Sequence, residues 1–125
     1  MLVGLKLLAE LMADLKEGHP GCLVATYCYN ERLFDQKLRD LNRQSVLAWR
    51  IRFRAMIDAI NQRYSPREEI DPDHLADMIS TVVEGGIIMS KVLRAPPVLP
   101  QQILLLRSYI RLLYCPTEDN NAGRT

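Results

Sequence analysis

His19 stands three residues before Cys22, and a histidine base beside a thiol is what a cysteine nucleophile requires. His19 falls, however, in Gly18-His19-Pro20-Gly21, where no carboxylate is spaced to orient the imidazole. A turn histidine and a packed thiol are therefore expected. His74 and Asp77 lie three apart, so on a helix they could share a face and hold a divalent ion. They belong to a polar cluster, Arg67-Glu68-Glu69-Ile70-Asp71-Pro72-Asp73-His74, that matches neither a calcium loop nor a zinc motif. Acidic side chains gather in this way where a helix N-terminus presents positive partial charge. Cys22, Cys28 and Cys115 contain no Cys-x-x-Cys, and positions six apart on a helix point to different faces. Free, mostly buried thiols are expected. No Gly-rich phosphate loop, Ser-x-x-Lys or Gly-x-Ser-x-Gly occurs. The expectation is thus no catalytic residue, no metal, no cofactor and no enzyme.

Composition narrows the remaining classes. The 125 residues suffice for one domain with a real core, since a chain of this size buries roughly two-thirds of its unfolded surface. Sixteen Lys and Arg face 15 Asp and Glu, a near-neutral balance that a generic nucleic-acid binder would not show. Arg50-Ile51-Arg52-Phe53-Arg54 has the look of an RNA contact, but alternate residues of a helix point about 200° apart, so the arginines form no single patch. Lys6, Glu10, Asp14 and Lys16 interrupt the richest apolar stretch, so no membrane span or signal peptide is expected. Together these features suggest a cytoplasmic protein.

The elements that would position these residues read as helices throughout. Leu2 to Glu17 carries Leu5, Leu8, Met12 and Leu15 at spacings of three and four, without a cap residue before it. Gly18 to Gly21 stops it. Cys22 to Tyr29 would suit a strand by composition, but nothing pairs with it, so a short buried helix to about Leu33 is expected. Asp35 can cap a long helix to Tyr64, with Val46, Trp49, Phe53, Met56, Ile60 and Tyr64 as its apolar stripe. Asp71-Pro72 pairs a capping carboxylate with proline at the first helical position, opening a helix to about Leu93. After Ala95-Pro96-Pro97 a last helix, about Pro100 to Tyr114, is apolar on more than one side and needs cover from two directions. Residues 117–125 hold nothing apolar larger than Ala122 and are expected to be a disordered tail behind a domain of residues 1–116.

Gly85-Gly86 is the most informative local feature. Each mid-helix glycine costs about 1 kcal/mol against alanine, so two in succession suggest close approach of another helix or a kink. The surplus apolar face of the last helix favours the first reading. Two helices with uncovered faces suggest a symmetric helical dimer.

Two stretches carry a family resemblance. His19-Pro-Gly-Cys-Leu-Val-Ala25 resembles the middle of a tetracycline-repressor (TetR) family regulator, and Val83-Glu-Gly-Gly-Ile-Ile-Met-Ser-Lys-Val-Leu93 resembles the first of that family's two dimerisation helices. The resemblance implies an all-α helical bundle, the C-terminal effector-binding and dimerisation domain, with Pro100 to Tyr114 as the second dimerisation helix. It places Gly85, Gly86, Met89, Ile103 and Ile110 at or near a homodimer seam. Tyr27, Trp49, Phe53 and Met56 would face a cavity for a small apolar or aromatic effector. Family members begin with a three-helix DNA-binding head, and these 125 residues hold none. The implied protein is then the regulatory half of a transcriptional repressor, either a fragment or a headless gene product, reaching DNA only through the missing head. The alternative is a headless interaction protein that heterodimerises with a full-length relative.

Overall fold

Two carboxylates open the two longest helices. Asp35 accepts the Leu38 backbone N–H at 2.9 Å and Asp71 that of Asp73 at 2.8 Å, each satisfying a donor that a helix start leaves unpaired. The computed structural model describes residues 1–115, and among them five α-helices and no strand: α1 (Leu2–Ala13), α2 (Leu23–Tyr29), α3 (Gln36–Asn61), α4 (Pro72–Val92) and α5 (Val98–Tyr114). The tail expected at 117–125 lies outside the described residues. A 3-10 turn, Glu31–Leu33, links α2 to α3. The last helix starts at Val98, because proline at its third position removes an N–H that has no helical partner there.

Helix α5 is the centre of the fold, packing against α1 on one side and α4 on another, while α3 lies against α4. Its apolar character on more than one side is spent largely inside the chain: Leu99, Ile103, Leu106, Ile110 and Leu113 are buried. Ile57 of α3, Ile79 of α4 and Leu5 of α1 meet them in one cluster. Polar ties fix the ends. The Arg67 N–H donates to the Leu113 carbonyl, the Tyr114 hydroxyl to Asn61 Oδ1, and Arg107 Nε to the Leu2 carbonyl. Gly18 has φ +75°, and a Cβ there would stand 3.2 Å from Pro96 Cβ, so the turn after α1 closes against the α4–α5 connection.

Three expectations need correction. No residue of α2 or of the 3-10 turn is buried, and Leu23 and Leu33 are both 73% exposed. This segment touches α3 and gains no second neighbour of comparable extent, so it cannot be a core helix. The thiols are likewise not mostly buried: Cys28 and Cys115 are exposed and Cys22 is half-buried. The expected helix to Tyr64 ends at Asn61, and of its stripe Phe53 and Ile60 pack against the core while Val46, Trp49, Met56 and Tyr64 are exposed; the fully buried residue of α3 is Ile57. No helix among the described residues is long and apolar enough to cross a membrane.

Candidate functional site

Gly86 fixes how α4 meets α5. A Cβ on Gly86 would stand 2.8 Å from Leu99 Cδ1 and 3.3 Å from Leu99 Cα, so the glycine permits a backbone approach within the chain itself. Gly85 is different, with no atom within 4 Å of the position its Cβ would take. Counting about 100° per residue from Gly86, Asp73 and Asp77, which hold α3, lie on the far side of α4 from the α5 contact. Met78, Val82, Gly85, Met89 and Val92 turn to one flank. Their spacing of four, three, four and three is that of a heptad seam.

The same count on α5 puts Arg107, which reaches α1, on one side of the α4 contact and Val98, Leu105, Tyr109 and Leu112 on the other. The two helices run antiparallel across a short turn, as the contact of Leu113 with the segment before α4 requires. Both stripes therefore face the same way, on the side opposite α1. Val92 is 74%, Leu105 62%, Leu112 60% and Met89 48% exposed, and neither stripe contains a charged residue. The exposed part of this face is apolar, while Met78 and Val82 lie half-buried against the core.

The residues that the resemblance assigns to a seam thus divide. Gly85 and Met89 lie on the exposed face, whereas Gly86, Ile103 and Ile110 are buried within the protomer. A partner approaching α4 and α5 meets Val92, Leu105, Tyr109 and Leu112 instead.

The four expected cavity residues also separate. Tyr27 packs edge to face on Phe34, ring centroids 4.8 Å apart, in a groove of about 470 Å³ between α2 and α3. Trp49 and Phe53 stack at 5.8 Å farther along α3, with the Arg52 guanidinium 5.7 Å from the Trp49 ring. Met56, 42% exposed, follows one turn on. Trp49, Phe53 and Met56 do not line the groove. Its lining includes Val24, Phe34, Leu38 and Leu47 together with Arg39, Arg43 and Arg50, which share one face of α3. Arg39 donates to the carbonyls of Phe34 and Glu31 and to Gln36 Oε1. Arg50 grips Asp77 through Nε and Nη2, both at 2.7 Å. Arg43 has no hydrogen-bond or ion-pair partner among the described residues.

Positions 39, 43 and 50 are separated by four and seven, which places all three on one helical face. That spacing was the available signal.

The α3–α4 contact is pinned by ion pairs. Besides Arg50–Asp77, Arg54 bridges Asp58 at 2.8 Å and Asp73 at 2.7 Å. Hydrogen bonding to Arg50 holds the Asp77 carboxyl below its ordinary range, and the backbone N–H of Asp73 does the same for Asp71. Asp77 is thereby engaged away from His74, whose Nε2 lies 3.9 Å from Asp71. No group of three or more metal-ligating side chains occurs among the described residues. His19 Nδ1 accepts the Gly21 N–H at 3.1 Å, so that lone pair is occupied. The Cys22 thiol is pushed up by burial and then by the Glu84 carboxylate beside it, the opposite of what a nucleophilic thiolate needs. Comparison of the chain with protein-family models, curated proteins and solved structures finds no match.

Proposed function

We propose that the chain is the ligand-sensing and dimerisation domain of a transcriptional regulator of the tetracycline-repressor type, working as a homodimer. The observation that carries this reading is the uncharged apolar face shared by α4 and α5, open to water at Met89 and Val92 of α4 and at Leu105, Tyr109 and Leu112 of α5. Two such faces, brought together about a two-fold axis, make a four-helix bundle with all four stripes inside. Gly85 supports the pairing, since a partner's side chain can approach its backbone directly.

In this reading α2 and α3 form the sensing arm. A ligand in their groove acts on α3, and the ion pairs to Asp73 and Asp77 carry any shift to the dimerisation helix α4. Effector binding would favour one arrangement of the two protomers over the other, and its affinity difference between arrangements would set the response. DNA would be engaged by a helix-turn-helix head that these 125 residues do not contain.

Thermal melting over a concentration series tests the reading. For a dimer that melts to monomers, Tm rises with chain concentration, each tenfold step contributing about 1.4 kcal/mol per mole of dimer. Apolar or aromatic ligands should raise Tm further and shift Trp49 fluorescence. A Tm independent of concentration, with no ligand changing it, would overturn the proposal.

A further inference from the structure

The groove between α2 and α3 has an apolar lining through which a row of three arginines on one face of α3 runs. Three guanidinium groups project there, and of the groove-lining residues Glu31 alone is acidic. Arg39 is steadied by backbone carbonyls, which leave its positive charge uncompensated. Arg43 is free of protein partners among the described residues, and Arg50 presents its fork to Asp77. A volume of about 470 Å³ is within the ordinary range for small-molecule sites, and it accommodates an acyl chain of medium length.

Building on the ligand-sensing reading, we propose that this groove binds an amphiphile with a carboxylate head. Arg43 receives the head, which also competes with Asp77 for Arg50. The alkyl part lies along Tyr27, Phe34 and Leu38. Guanidinium is the group suited to this task, since its planar fork matches a carboxylate and stays charged at every working pH. The competition at Arg50 gives the ligand a direct purchase on α4. A head that draws Arg50 toward the groove loosens a bridge between α3 and the helix bearing the apolar face.

The test is calorimetric titration of the full chain at pH 7 with decanoate, 1-decanol and decyltrimethylammonium, the two ionic compounds below their micellar concentrations and the alcohol below its solubility limit. The three share a chain length and differ in head charge. Decanoate should bind at least about tenfold more tightly than decanol, the factor one charge-assisted hydrogen bond supplies. Arg43→Glu, whose circular dichroism and melting should match the parent, should abolish that preference. Asp77→Asn frees Arg50 and should tighten decanoate binding several-fold. Decanol binding as well as decanoate, or the ammonium binding better, would overturn the carboxylate proposal while leaving the groove a ligand site. Preference retained in Arg43→Glu would overturn the placement of the head. Unchanged affinity in Asp77→Asn would overturn the competition at Arg50. Binding by none of the three would overturn both the carboxylate proposal and the groove as the sensing site.

Discussion

Helices α5 and α2 sit at opposite ends of one scale. The first buries seven residues between two neighbours and still keeps an apolar stripe facing water; the second buries none and leans on α3 alone. Removing apolar area from water stabilises by about 25 cal/mol per Å², so nearly all the stability resides in the α1–α5–α4–α3 stack. Under the proposed function the contrast would separate two duties. A frame that must hold a seam in register needs a dense core, whereas an arm that admits a ligand must open at low cost.

The largest expected effect is the one that confirms the frame. Ile103→Ala removes a fully buried side chain and should lower unfolding free energy by about 3–4 kcal/mol in urea titration. Val24→Ala in α2 should cost less than about 1 kcal/mol, and equal losses at the two sites would erase the contrast.

Next in size come the neighbouring glycines, which should behave oppositely. Gly86→Ala presses a methyl against Leu99 and should destabilise by about 1–3 kcal/mol. Gly85→Ala meets open space in the protomer and should gain up to about 1 kcal/mol in a monomer's helix propensity while weakening self-association.

Smaller, and sensitive to pH, is the ion-paired joint between α3, on which α2 leans, and α4. The folded-state carboxyl of Asp77 is depressed by Arg50, so its contribution is present above the unfolded value of about 3.9 and is lost as pH falls through the folded one. Urea midpoints measured from pH 6 to pH 2 should fall through this window, and Asp77→Asn should flatten part of the decline. The pair is well exposed, which keeps the effect modest. Least costly of all is thiol labelling at pH 7.5. Exposed Cys28 and Cys115 should react ahead of Cys22, whose thiol is pushed up by burial and by Glu84.

What the sequence made legible follows from local physics. Asp35 and Asp71-Pro72 cap where a polar residue before an apolar run should cap, and the break at Ala95-Pro96-Pro97 falls where proline demands it. The rotation of each helix was harder to read. A stripe one residue wide of the mark turns by about 100°, which is the distance between Gly86 against Leu99 and Gly85 in the open. On α3 the stripe Val46–Trp49–Phe53–Met56 is amphipathic as expected, yet its neighbour helix meets it one position over, at Ile57. The exposure of α2 was illegible for a different reason. Its β-branched and aromatic content states what could be buried, while burial depends on how many helices arrive. The arginines that line the groove share a helical face by their spacing of four and seven, but the groove itself depends on where α2 lies against α3.

Molar mass by light scattering over a hundredfold dilution, for the parent chain and for Leu105→Glu, bears most directly on the α4–α5 face. Leu105 is 62% exposed in the protomer, so the glutamate should leave the fold and helix content intact. A homodimer through this face predicts twice 14.3 kDa for the parent and 14.3 kDa for the variant, because a seam would otherwise bury two unpaired carboxylates. A parent mass of 14.3 kDa at every concentration, or a variant that dimerises as well as the parent, would contradict it.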